Sequence, residues 1–341
     1  MNELPKARKV GQGKTRQELI AEIAEEFPNA MNRALARIAM ERWPQVFGTV
    51  ERARTVVRTL RGANGATHLK YVGNKSFVRP IGWQVNAVPV SRSKKREPVT
   101  INGPVRLGVF GDVHIPYHSP EAVEAMVKFF KTQKVGAILI NGDLCDFYSC
   151  SRHEKDPRRP LKEELDAARQ FLFWLRAQFP KIPIHYKVGN HETNLERYLM
   201  RQAPVLLGVP EFELRDVMKL DEMNIQLIES LQLIQAGRLS IFHGHELPQG
   251  MSSPVNPARG IWMRVQETML CNHWHRTSEH AETTGVTKKV TSCWSLGCLC
   301  DLAPDYALVN KWNHGFAIVD ILDKEGNFEV RNHKIVGGRV Y

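Results

Sequence analysis

Apolar residues that recur every three or four positions predict three amphipathic helices in the first 62 residues. The first helix is predicted over residues 15–26, the second over residues 31–43, and the third from its N-cap Thr49 to Gly62. Pro28 and Pro44 end the first two helices. The apolar faces consist of Leu19, Ile20, Ile23 and Ala24 in the first helix, Leu35, Ile38, Ala39 and Trp43 in the second, and Val50, Ala53, Val57 and Leu60 in the third.

Residues 66–104 have a different pattern, with short β-like runs at 68–72 and 83–90. They end in the charged segment Ser91-Arg-Ser-Lys-Lys-Arg-Glu97, and a solvated charge run of this kind is typical of a linker. We therefore predict a helical, helix-turn-helix-like domain at residues 1–65, a basic linker with short strands at 66–104, and a second domain at 105–341.

From residue 105 onwards, strand-like apolar runs alternate with helical patterns. The runs at 105–110, 135–140, 182–188 and 238–242 each lead into polar residues. Helices are predicted after Ser119, with Pro120 at its first position, and across residues 160–179. This alternation predicts a layered α/β domain, in which ligands bind beyond the carboxyl ends of the strands.

Four polar motifs follow these apolar runs, and a fifth follows Met269-Leu-Cys-Asn272. They are Asp112-x-His114, Gly142-Asp143-x-x-Asp146, Gly189-Asn190-His191-Glu192, His243-Gly-His245 and His273-x-His275. Each motif alone is weak, but in this order they resemble the calcineurin-like metallophosphoesterase superfamily across residues 105–340. The resemblance implies a layered β-sandwich flanked by helices and a phosphoester hydrolase that uses two divalent ions.

The resemblance also implies which side chains hold the ions. The first ion would take Asp112, His114 and His275, the second would take Asn190, His243 and His273, and Asp143 would bridge them. A hydroxide held between the two ions would be the nucleophile. Sites with mixed Asp, Asn and His ligands accept manganese, iron, zinc or cobalt according to supply, and manganese is the metal that we expect.

The remaining motif residues are given supporting roles by the same resemblance. His191 would protonate the leaving group, with Asp146 as its hydrogen-bond partner. We expect His245 and Glu192 to support the site without binding metal. His118 and His153 lie in loops after motif-bearing strands, so either a structural role or substrate contact remains open for them.

Two positions depart from the protein phosphatases of this superfamily. Those enzymes carry arginines that grip phosphate after the second motif and before the third, where this chain has Phe147 and Val188. The bidentate arginine clamp is therefore missing at these positions, which argues against a protein phosphatase. Cys271-Asn272 also replaces the commoner glycine before the last motif.

The net charge of +11 is concentrated near the N-terminus. Residues 1–100 contain 19 Lys and Arg against 8 Glu and no Asp, so their net charge equals that of the whole chain. Such asymmetry indicates a polyanionic partner, most often nucleic acid. The third helix carries four arginines away from its apolar face, and we predict that they contact DNA; the alternative is a protein-interaction or dimerisation bundle. These arginines are Arg52, Arg54, Arg58 and Arg61.

The helical N-terminus joined to this second domain is similar to phosphoesterases encoded by bacteriophages, which favours a nuclease or end-processing phosphodiesterase acting on nucleic acid. The alternatives are a small-molecule phosphomonoesterase or phosphodiesterase and a non-catalytic DNA-binding protein.

The chain holds no apolar run of roughly 18 residues and no secretion signal, so we expect a cytoplasmic protein without a membrane partner. The spacing of the six cysteines predicts reduced thiols rather than a zinc site, with metal binding near Cys298 as the alternative. The oligomeric state is not predicted.

Overall fold

The computed structural model describes residues 13–62, 91–93, 95–247 and 255–341. The chain divides into two compact units, Met1–Ser93 and Lys94–Tyr341. The predicted short strands at 68–72 and 83–90 lie outside the described residues. No helix among the described residues is long and apolar enough to cross a membrane.

The described part of the first unit is helical. Its helices are α1 (Arg16–Glu26), α2 (Asn32–Arg42), α3 (Pro44–Phe47) and α4 (Val50–Leu60). Thr15 and Thr49 cap α1 and α4 through their side chains, which confirms where those helices were predicted to begin. The short α3 was not predicted; Pro44, expected only to end the second helix, also starts a new turn because proline suits the first helical position.

Arg61 does not lie on the outer face of the helix, and that prediction was wrong. Its side chain is buried, and its guanidinium donates to the carbonyl oxygens of Ala30 (2.7 Å) and Pro28 (3.3 Å) and to Asn32 Oδ1 (2.9 Å). Arg61 follows the end of α4, where it binds the turn between α1 and α2. The other three arginines are partly or fully exposed: Arg52, Arg54 and Arg58.

The second unit contains two β-sheets that pack face to face between layers of helices. The seven-stranded sheet has the order β13-β12-β11-β2-β3-β4-β5, and the six-stranded sheet has the order β1-β6-β7-β8-β10-β9. The strands are β1 (Val99–Ile101), β2 (Val105–Phe110), β3 (Ala137–Asn141), β4 (Ile184–Lys187), β5 (Ile225–Ile228), β6 (Ile234–Ala236), β7 (Leu239–Phe242), β8 (Met269–Cys271), β9 (Ser278–Thr283), β10 (Val290–Ser295), β11 (His314–Ile321), β12 (Phe328–Val336) and β13 (Arg339–Val340). The longer helices are α5 (Pro120–Gln133), α6 (Leu161–Gln178), α7 (Thr193–Gln202) and, after the short α8 (Leu214–Val217), α9 (Pro257–Val265).

Strand β3 shows how the layers are built, because every residue in it is buried. Ala137 and Leu139 face the other sheet, whereas Ile138 and Ile140 face α5 and α6. A strand buried on both faces needs a continuous apolar sequence, which β3 has. The predicted helix-flanked sandwich is confirmed.

Strand β1 shows that the second unit begins earlier than residue 105, the predicted boundary. Val99–Ile101 pairs in parallel with Ile234–Ala236 at the edge of the six-stranded sheet. These residues are therefore part of the sandwich, although their sequence was assigned to the linker. A three-residue strand is too short to show a period in the sequence.

Candidate metal centre

The predicted ligands meet at one edge of the sandwich. The parallel strands β2, β3 and β4 end there in the first sheet, and β7 and β8 end there in the second. Loops after these five strands carry every predicted ligand, so both sheets contribute to the site. The ligands are Asp112, His114, Asp143 and Asn190 after the first sheet's strands, and His243, His273 and His275 after the second's.

Five of the seven predicted ligands have left-handed backbone conformations. Their φ angles are 51° at Asp112, 50° at His114, 52° at Asp143, 74° at His273 and 55° at His275. Non-glycine residues rarely adopt this conformation, which costs on the order of 1–2 kcal/mol each. Such strain is concentrated at functional sites, where the surrounding structure holds it.

The potential ligand atoms form overlapping groups within 4.8 Å. One group joins Asp112, His114 and His275, and another joins Asp143, His243 and His273. Asp143 also belongs to a third group, with His114 and His191. Asp143 is thus the carboxylate that lies beside histidines of both predicted ligand sets, as a bridging ligand must. Asn190, the remaining predicted ligand, places its Oδ1 atom 3.2 Å from His243 Nε2.

The donor set fits divalent cations. Asp112 Oδ1 is buried without a hydrogen-bond partner, although a buried carboxylate oxygen normally has one. His114 Nε2 and His275 Nε2 lie only 3.3 Å apart. The other ring nitrogen of His243, Nδ1, donates to the Asn141 carbonyl oxygen at 2.7 Å, which leaves the Nε2 lone pair directed at the site.

Asp146 holds two histidines by its Oδ1 atom, His114 Nδ1 at 3.1 Å and His191 Nδ1 at 3.0 Å. Burial raises the pKa of Asp146, but hydrogen bonds from His114 and His191 lower it by a larger amount. The net pKa therefore lies below its ordinary value, and the carboxylate is ionised. Burial also lowers the pKa of His191, yet the charges of Asp143 and Asp146 raise it to about 10. His191 is therefore oriented and protonated by its neighbours.

Glu192 holds the loops that carry the site. Its buried carboxylate accepts hydrogen bonds from the backbone amides of Asp143 (3.0 Å), Leu144 (2.8 Å) and Gly189 (2.8 Å), and from the Tyr186 hydroxyl (2.7 Å). These contacts join the second motif to the third, in the structural role that we expected.

His245 lies outside the four groups of potential ligands among the described residues. Its Nε2 atom is 2.8 Å from Ser230 Oγ, and burial lowers its pKa to about 4. A neutral imidazole bound to a neighbouring hydroxyl is consistent with support rather than metal binding. His118 is partly buried against the edge of Phe171, whereas His153 is exposed. Neither belongs to a group of potential ligands within the part of the chain that the structure describes.

Lys187 and Glu246 form a buried ion pair, with 2.9 Å between Lys187 Nζ and Glu246 Oε1, that was not predicted from the sequence. Lys187 is fully buried at the end of β4, and its ammonium also donates to three backbone carbonyl oxygens in residues 229–232. A lysine that ends an apolar strand two residues before a site motif is the signal that could have identified it.

A second missed residue is Glu164 on α6. It is buried, and its carboxylate accepts from the Phe147 amide and from the Cys145 thiol (3.2 Å). Burial raises the pKa of Glu164 to about 7. Glu164 thereby fixes the loop that carries Asp146. Glu164 lies one helical turn before the buried Ala168, and this spacing could have indicated that Glu164 faces the core.

All six cysteines are buried and free of disulfides. Cys300 Sγ lies 3.8 Å from His275 Nδ1, on the opposite side of the ring from Asp112. Cys298, Cys300 and His275 also form a group of potential ligands. His275 is already shared with the carboxylate site, so these thiols surround a predicted ligand of that centre.

Comparisons with known proteins identify relatives of the chain. The family model described as calcineurin-like phosphoesterase matches residues 105–278. The Gene 54 proteins of Mycobacterium phages L5 and D29 are each 24% identical to the chain, over 69% of this chain and 95% of each phage protein. They confirm the predicted similarity to bacteriophage proteins.

Two solved structures are also similar. A Vps29 single mutant from Entamoeba histolytica is 14% identical with a TM-score of 0.38, covering 69% of this chain and 96% of its own. A dimetal phosphatase from Danio rerio is 11% identical with a TM-score of 0.37, covering 70% of this chain and 98% of its own.

Proposed function

Because the chain belongs to the calcineurin-like phosphoesterase family and is a metal-dependent phosphoric ester hydrolase, we propose that it cleaves phosphodiesters of nucleic acid. The observation that carries the chemistry is the position of Asp143, which lies in ligand groups on both sides of the site. The basic charge of the first 100 residues supports nucleic acid as the substrate.

In this proposal, two divalent ions are held by the seven ligands and Asp143 is shared, with manganese as the expected metal. When bound, the ions supply a water of lowered pKa and positive charge that neutralises the phosphate oxygens. Asp112 and Asp143 supply buried carboxylates, which are ligands that divalent ions bind readily.

His191 is the proposed general acid. Its Nδ1 atom is held by Asp146, while its Nε2 atom lies 3.9 Å from Asp143 Oδ2 and thus faces the centre. The hydrogen bond to Asp146 raises the pKa of the imidazole, and from this position His191 can transfer a proton to the leaving oxygen.

The preference for diesters follows from the charge of the site. At the positions where related protein phosphatases carry phosphate-gripping arginines, this chain has the buried side chains Phe147 and Val188. A phosphodiester carries one negative charge fewer than a doubly ionised monoester and depends less on such arginines.

The proposal is tested with the full chain in manganese, assayed on p-nitrophenyl phosphate, bis(p-nitrophenyl) phosphate, single- and double-stranded DNA, and RNA. We expect diesters to be cleaved faster than the monoester. The reverse preference would favour the small-molecule phosphomonoesterase. Parallel assays in iron, zinc and cobalt identify the metal.

The site assignment is tested by Asp143→Ala, which should abolish turnover and lower metal content. Asp166→Ala is the matched control, because Asp166 is exposed on α6 and pairs only with surface side chains among the described residues. An Asp143→Ala variant that keeps two ions per chain and normal turnover would refute the assignment.

A further inference from the structure

A row of aromatic side chains leads outward from the metal centre. The Trp312 ring lies 4.3 Å from the ring of the predicted ligand His275, and the Tyr306 ring lies 6.2 Å from Trp312. Tyr306 is 76% exposed. Its ring therefore offers an open π surface beside the candidate active site.

A second aromatic group approaches the site from the first motif. Tyr117 donates its amide to the carbonyl oxygen of His114 at 2.7 Å, which fixes it next to a predicted ligand. The Arg159 guanidinium lies 5.2 Å from the centre of the Tyr117 ring and 5.2 Å from that of Tyr148. Arg159 is thus held between two rings, one of which belongs to the segment that follows His114.

The two groups are connected. The Asp301 amide donates to the Tyr117 carbonyl oxygen at 2.7 Å, and Arg159 lies 3.7 Å from Asp305 on the loop that carries Tyr306. We call Tyr117, Arg159, Tyr306 and Trp312 the aromatic rim.

The loop of residues 301–312 is held in its exposed shape by Asn310. The Asn310 amide group donates to the carbonyl oxygens of Leu302 and Ala307, each at 2.7 Å, and its Oδ1 atom accepts from the Trp312 amide at 2.8 Å. A loop that is fixed while it exposes Tyr306 is organised in advance for a ligand.

We infer that the aromatic rim binds an unpaired base of single-stranded nucleic acid whose neighbouring phosphodiester lies at the metal centre. This inference rests on the proposed function and names its substrate class. Exposed aromatic rings beside a positive charge form the usual surface for single strands, because every base can stack on a ring. A base inside a duplex is already stacked on its neighbours and cannot reach Tyr306, so the rim selects single strands or frayed ends.

The experiment compares two fluorescent octamers of equal length and charge, a thymidine octamer and one whose bases are all replaced by abasic tetrahydrofuran residues. Their dissociation constants for the full chain are measured by anisotropy in EDTA, which keeps the octamers intact. Phosphate binding by the basic first unit contributes to both constants, so the titrations are run at a salt concentration that weakens this electrostatic contribution.

We expect the unmodified chain to bind the thymidine octamer about tenfold more tightly than the abasic octamer. Tyr306→Ala should reduce this ratio several-fold, whereas Tyr306→Phe should keep it because the ring remains. Tyr341→Ala is the matched control, since Tyr341 is 67% exposed directly after the edge strand β13 and should not affect the ratio.

Equal binding of the two octamers, or an unchanged ratio in Tyr306→Ala, would overturn the inference. Hydrolysis of bis(p-nitrophenyl) phosphate in manganese is measured separately. If that hydrolysis is present while the ratio is one, only the inference fails; if no phosphodiester is cleaved, the proposed function fails whatever the ratio.

Discussion

Replacing Lys187 with methionine should destabilise the protein by about 3–5 kcal/mol. The Lys187 ammonium is fully buried, 2.9 Å from Glu246 Oε1, and it donates to the carbonyl oxygens of Glu229 (3.2 Å), Ser230 (2.6 Å) and Gln232 (3.0 Å). Methionine has similar length but no charge and no donor. The variant would leave one buried carboxylate unpaired and three carbonyl groups without this donor, and removal of one partner from a buried pair has a cost of this size.

The same change should reach the metal centre. Glu246 also accepts from the Gly244 amide at 2.8 Å and lies 3.5 Å from His245 Nδ1, so it fixes the loop after β7. That loop carries the predicted ligand His243. We therefore expect weaker manganese binding in Lys187→Met as well as lower stability.

The assay is guanidinium unfolding followed by tryptophan fluorescence. Lys128→Met is the control, because Lys128 is exposed on α5, and it should change the free energy of unfolding by less than about 0.5 kcal/mol. Adding Glu246→Gln to Lys187→Met should restore part of the loss, since the unpaired charge is then gone. A loss below about 1 kcal/mol, or a double variant no more stable than the single one, would refute this reasoning.

Three further predictions concern other parts of the molecule. His191→Ala should slow hydrolysis of an alkyl phosphodiester by about 10²- to 10⁴-fold and have a much smaller effect on a p-nitrophenyl ester, whose leaving group hardly needs a proton; equal losses would argue against general acid catalysis. Burial raises the pKa of Glu164 from 4.5 to about 7, so its stabilising contribution is present below pH 4.5 and is lost as the pH rises through 7. Glu164→Gln should therefore flatten the pH profile of the unfolding midpoint between these two values. An unaltered profile would contradict the assignment. Arg58→Ala in the full chain should lower the slope of log affinity for duplex DNA against log salt concentration by about one. Arg61→Ala should instead lower the stability of the protein, because Arg61 is buried. An unchanged slope for Arg58→Ala would favour the interaction-bundle alternative.

Motif order carried most of the information about the site. Asp112, Asp143 and His243 all follow apolar runs, and parallel strands necessarily bring their carboxyl ends to one edge of a sheet. The helices near the N-terminus were equally accessible, because Thr15 and Thr49 are side-chain caps with a local mechanism.

Other features depend on contacts between distant segments, which no local pattern records. The left-handed backbone at His273 and His275 is imposed by the surrounding loops, since histidine has no strong preference for it. The sequence pattern places Arg61 on the polar side of an amphipathic helix. In the structure its guanidinium is buried, because it donates to three oxygen atoms about 30 residues earlier in the chain. Lys187 likewise meets Glu246 only because β4 and the loop after β7 converge.

The contribution of both sheets to the candidate centre has a mechanical consequence. Among the ligands, Asp112 and His114 extend from the seven-stranded sheet and His275 from the six-stranded one, so an ion held by all three would cross-link the two layers. Ion binding would then oppose any motion that separates the sheets. At a free ion concentration of 100 times the dissociation constant, such a cross-link would add about 2.7 kcal/mol to the work of opening the sandwich. Removal of the ion by a chelator should therefore increase amide hydrogen exchange first in β7 and β8, the strands of the six-stranded sheet that end at the candidate centre.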